Sequence, residues 1–213
     1  MPRGTFVAQA EEYGPTQLLY YLLASLILAA GVVVGALALR TLTPAELAEL
    51  NTFIERFLAG LDMELQRASG RAVLRESLSL ELKTLGLIYV LGLTVLGLPG
   101  VIAVVFIRGF VLGFTVGFLV YQRGLGGVLF TLAAVVPQNL FLLPALIFAS
   151  VCAFRFSLQV VRSRRPGWKV DLWSDFLGYS ALMTAAVAAA TGGSLVKAYV
   201  APVLMSLVKR LLM

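Results

Sequence analysis

The run TLGLIYVLGLTVLGLPGVIAVVFIRGFVLGFTVGFLVYQRGLGGVLFTLAAVVPQNLFLLPALIFASVCAF, residues 84–154, decides the fold class. Its 71 residues contain no Asp, Glu, Lys or His and only two charges, Arg108 and Arg123. A helix needs about 20 apolar residues to cross a hydrocarbon core about 30 Å thick. Two crossings would take about 35 residues each, which is far too long, so three spans are expected here. They are 84–107, 109–122 and 125–154.

Composition points the same way. Hydrophobic residues make up 60% of the chain and charged residues 13%, about half the charged share of a soluble domain. One water-soluble core is excluded, and an all-α polytopic integral membrane protein is expected. The net charge of +6 is read as loop lysine and arginine that orient the spans rather than as a nucleic-acid footprint. The single cysteine, Cys152, excludes an internal disulfide and reads as a packing residue.

Outward from the block, residues 1–17 form a short tail and 18–39 an uncharged run of 22, a retained first span rather than a signal peptide. Gly31 and Gly35 fall on one face of it. Residues 40–83 mix six basic and seven acidic residues with regularly placed apolar ones. Thr43-Pro44-Ala45-Glu46 reads as a helix start, with Thr43 as N-cap, Pro44 in the first turn and Glu46 closing a capping box. Behind it Leu47, Leu50, Ile54, Phe57 and Leu61 form one apolar stripe, with the charged residues opposite. This amphipathic segment between spans one and two is the only sizeable soluble piece. Its stripe either packs on the bundle or the lipid surface, or docks another protein.

Inside the block, Gly97-Leu98-Pro99-Gly100 is expected to kink or interrupt a helix. Arg108 is placed at a turn between spans two and three, because the block holds no acid to pair with it. Gly109, Gly113 and Gly117 share a helical face suited to close packing, within one subunit or between two. Arg123 to Gly127 reads as a loop. Pro137-Gln138-Asn139 breaks the fourth span at membrane depth, with amides able to satisfy the freed backbone groups.

Beyond Phe154, residues 155–171 carry the most positive short loop, which belongs in the cytoplasm. A fifth span covers 172–191, Gly192-Gly193 ends it, and Ser194 caps an amphipathic helix over 194–213. Counting crossings back from the basic loop puts residues 40–83 outside and the N-terminus in the cytoplasm. The absence of histidine excludes a His-based triad, an imidazole zinc site and a histidine proton relay. No catalytic residue, cofactor site or metal site is assigned. Ion-coupled transport is set aside because the block has no carboxylate.

The run Ile107-Arg108-Gly109-Phe110-Val111-Leu112-Gly113-Phe114-Thr115-Val116-Gly117-Phe118-Leu119-Val120, followed by Val135-Val136-Pro137-Gln138-Asn139, resembles the stage II sporulation protein M family. Leu85-Gly86-Leu87, Leu96-Gly97-Leu98-Pro99 and the late Ala198-Tyr199-Val200-Ala201-Pro202-Val203-Leu204-Met205 fit that pattern in order. The resemblance implies a five-span, non-enzymatic protein that anchors a peptidoglycan-degrading machine during forespore engulfment. The stage II sporulation proteins D and P are the implied partners, at the septal and engulfing cell membrane. A homodimer through the glycine face is compatible with the sequence, and nucleic acid is not an expected partner. A permease-like subunit working with a cytoplasmic ATPase is the alternative, with Arg108 and the Pro137 break lining its pathway. A lipid-interacting role would draw on the basic loop and the amphipathic tail.

Overall fold

A computed structural model describes residues 14–52, 70–94, 97–163 and 172–212. They are helical nearly throughout, and no strand occurs among the described residues. Helix α1 covers Gly14–Ala38 and closes in a 3₁₀ turn, Leu39–Thr41. Helix α2 is described over 44–52. Then come α3 (Gly70–Gly92), α4 (Gly97–Arg123), α5 (Leu125–Ala134), α6 (Val136–Ser163) and α7 (Leu172–Leu195). Helix α7 passes through a π-helical turn, Val196–Val200, into α8, Ala201–Leu212.

The all-α polytopic class holds, but among the described residues four helices qualify as spans rather than the five expected. Gln17–Thr41, Gly97–Arg123, Val136–Val161 and Trp173–Leu207 are long and apolar enough to cross a membrane. Helix α3 has 23 residues, enough for about 34 Å, yet it carries Arg71, Arg75, Glu76, Glu81 and Lys83. Its apolar end, Thr84 to Gly92, is the start of the expected second span. The remainder of that expected span belongs to α4, because the chain turns at Leu93 and Thr94 and not at Arg108. Pro99 falls in the first turn of α4, where its missing N–H costs nothing, so it starts a helix instead of kinking one.

Two other breaks also move. Gly124, at φ 55°, makes a one-residue corner, and the expected loop after it is the helix α5. Gly192-Gly193 does not end α7: a Cβ at Gly193 would lie 2.7 Å from Leu142 Cγ, so this glycine lets α7 approach α6. Ser194 is fully buried in mid-helix, where Ser77 Oγ donates to its Oγ at 3.2 Å, so it is a cross-helix partner and not a cap.

Helices α1 and α4 run parallel. A Cβ at Gly31 would land on the Phe106 carbonyl oxygen and one at Gly35 on that of Phe110. Conversely, Cβ atoms at Gly109 and Gly113 would land on the carbonyls of Leu28 and Val32. The partner number rises along both helices together. Two parallel helices require the chain to return between them, and α3 runs that way, antiparallel to α4 and to α7.

Helix α6 is central. Ala149, Ser150, Val151, Cys152, Ala153 and Phe154 are buried in succession, whereas α4 buries a single stripe through Val101 and Val105. Around α6 the core is tied by polar and aromatic contacts between helices. Tyr179 OH donates to the Tyr89 carbonyl at 3.1 Å, and Tyr89 OH pairs with Ser180 Oγ at 3.0 Å. The Tyr179 ring stacks between Tyr89, at 5.2 Å, and Phe156, at 4.6 Å.

Candidate functional site

The sequence points to three groups of residues, and the structure joins part of each. Residues 44–52 form a helix whose first turn is closed by a reciprocal capping box. Thr43 N–H donates to Glu46 Oε2 at 2.7 Å, Thr43 Oγ1 to the same oxygen at 2.8 Å, and Glu46 N–H back to Thr43 Oγ1 at 3.4 Å. Bonding to Thr43 holds the Glu46 carboxyl below its ordinary range. Leu47 and Leu50 are half-buried on this helix. Ile54, Phe57 and Leu61, with most of the expected stripe, lie outside the described residues.

Gly109 and Gly113 sit against the α1 backbone, and a Cβ at Gly117 would approach Leu39 Cδ1 at 2.7 Å. The glycine face is therefore occupied within the subunit. Pro137-Gln138-Asn139 lies in the first turn of α6, after a corner at Val135. Pro137 is thus at a helix start and does not interrupt a span. Asn139 Nδ2 donates to the Val135 carbonyl at 2.8 Å, the service expected of these amides, while Gln138 Oε1 is buried with no hydrogen-bond partner among the described residues. A proline inside α6 does exist, at Pro144, seven residues further on.

Between these groups lies a groove of about 1050 Å³. Leu47, Gly113, Gly117 and Asn139 all line it, joined by Arg40 at the end of α1 and by apolar residues of α1, α4 and α6. Arg108 does not line it. Arg108 stands eleven residues into α4, about 16 Å along, and its Nη2 donates to Glu81 Oε1 of α3. The expected turn there is incorrect because the partner acid lies just upstream of the uncharged block, in residues read as soluble. An ion pair at mid-depth escapes the cost of a lone buried charge.

At the opposite end of the bundle, Gln159 Nε2 donates to Asp175 Oδ2, which is buried, and Ser157 Oγ donates to the Thr94 carbonyl at 3.0 Å. These bonds fasten the start of α7 and the α3–α4 corner to α6. Their hydrophilic members in α6 and α7 were the only available signal. Among the described residues, no group of three His, Cys, Asp or Glu is placed to hold a metal ion.

Such a bundle defines a polytopic membrane protein whose distinctive features are a glycine-locked helix pair, a charged helix packed along its side and a one-sided groove. The chain belongs to the stage II sporulation protein M family, whose pattern matches residues 24–202, most of the chain. No curated protein and no solved structure gives a significant match.

Proposed function

We propose that this chain is a non-catalytic membrane scaffold that recruits a peptidoglycan-degrading complex during forespore engulfment. The family membership supports a sporulation role. The observation that carries the scaffold reading is the locked start of α2: only Leu42 and Thr43 separate it from the 3₁₀ turn that ends α1. A capped helix tied so closely to a span holds the start of its stripe, Leu47 and Leu50, at a set place beside the bilayer, which suits a surface that holds a wall-active partner. On this reading α2 lies outside the cell membrane, the N-terminus is cytoplasmic, and the site of action is the septal and engulfing membrane. The partners are the stage II sporulation proteins D and P.

The test is affinity purification of the tagged chain from sporulating cells, beside a Leu50→Glu/Ile54→Glu variant, with mass spectrometric identification of co-purifying proteins. Recovery of wall hydrolases with the parent chain and at least tenfold less with an equally abundant, membrane-inserted variant is the expected result. Equal recovery would sink the stripe as the docking surface. Recovery of a cytoplasmic ATPase in place of hydrolases would favour a permease subunit.

A further inference from the structure

The groove lies within three segments apolar enough to cross a membrane. It is open at the surface: Leu140 is 70% and Tyr121 69% exposed. Along α1 it runs from Val32 to Arg40, eight residues or about 12 Å. That length is close to the depth of one leaflet, about 15 Å, and well short of a whole hydrocarbon core. Its walls are graded. Val32, Leu112 and Leu143 line the deep end, and Arg40 with Tyr121 the shallow end. No acidic residue lines it among the described residues, and Arg40 is exposed with no ion-pair partner among them.

A groove one leaflet deep, apolar below and cationic above, matches an amphiphile with a hydrocarbon tail and a negative head. A spanning helix from another protein would meet it over only half its length and would need a carboxylate opposite Arg40. We propose that the groove is a binding site for one anionic glycerophospholipid, with an acyl chain between α1, α4 and α6 and the phosphate on the Arg40 guanidinium. Gly113 and Gly117 set the depth of the floor by letting α1 pack directly on α4, and Leu47 of α2 closes the shallow end. The lipid thereby joins α2 to the bundle. The groove shares Leu47 with the start of the α2 stripe, but its assignment does not rest on the scaffold reading.

The experiment uses the full chain in nanodiscs or mild detergent, titrated with phosphatidylglycerol or phosphatidylcholine and read by native mass spectrometry. The parent chain should retain one phosphatidylglycerol with a preference of about fivefold over phosphatidylcholine, the effect of one basic residue at a membrane surface. Arg40→Gln should bring the two lipids within twofold of each other. Val116→Trp, which fills the groove and keeps Arg40, should lose the retained lipid while eluting as the same monodisperse species. A photo-reactive residue at position 140 should label lipid. Equal retention of the two lipids by the parent chain overturns the proposal. So does an undiminished preference in Arg40→Gln, or labelling of another polypeptide from position 140.

Discussion

Gly113 and Gly86 are both glycines inside helices, and they should respond in opposite ways to an added methyl group. At Gly113 a Cβ meets the Val32 carbonyl, so Gly113→Ala forces α1 and α4 apart. A loss of about 1–3 kcal/mol is expected, read as a lower midpoint in thermal unfolding of the detergent-solubilised protein. At Gly86 nothing lies within 4 Å, and Gly86→Ala should stabilise by about 0.5–1 kcal/mol through helix propensity alone. The pair Glu81 and Arg108 is the second residue-scale test. Either single change, Glu81→Gln or Arg108→Met, leaves one charge uncompensated in the bundle and should cost about 3–5 kcal/mol. The double variant should recover most of that loss, and a double variant as unstable as the worse single would show that the two do not act as a pair. Arg108 shows where sequence reasoning stops. Its solitude within the 71-residue block was correctly seen, but a partner 27 positions upstream becomes visible only when α3 and α4 fold against each other.

At the scale of elements, the capping box gives α2 a pH dependence. The folded Glu46 pKa lies below its ordinary value of 4.5, so its stabilising effect is complete above that value. It is lost as pH falls through the lowered pKa, because the protonated carboxyl is a poorer acceptor for the Thr43 donors. Hydrogen exchange at the amides of residues 44–50 should therefore gain a larger opening fraction in the parent chain as the pH falls below 4.5 and through the lowered pKa. Glu46→Gln should show that looser helix at neutral pH, with little further change on acidification. This start was legible because a capping box is a local pattern whose four residues solve their own hydrogen-bonding problem. The starts of α4 and α6 were not, because Pro99 and Pro137 obey the same local rule whether they begin a helix or interrupt one. Gly193 misled for a related reason: glycine ends some helices and lets others touch, and only Leu142 across the contact distinguishes the two roles.

For the whole molecule, the parallel register of α1 and α4 sets the topology. Single cysteines at Thr41 and Gly124, in a Cys152→Ser background, should be labelled by an impermeant thiol reagent from the same side of the membrane. A cysteine at Thr94 should be labelled from the other side. Labelling of positions 41 and 124 from opposite sides would rule out the parallel pair. The all-helical class, the first span and the glycine face were readable from period and composition, which need no knowledge of neighbours. The groove was not, since Arg40, Leu47, Gly117 and Asn139 come from separate elements and share nothing in sequence.

The parallel glycine contact also sets a timetable for biosynthesis. Gly113 follows Val32 by 81 residues, so α1 has left the ribosome well before its mate exists. At about 5–20 residues per second, roughly 4 to 16 s pass between the synthesis of Val32 and that of Gly113. For that interval α1 stands in the bilayer with Gly31 and Gly35 uncovered, a nascent segment available to insertion chaperones and to membrane proteases alike. A defect such as Gly113→Ala, which keeps α4 from seating on α1, should prolong that exposure beyond the end of translation.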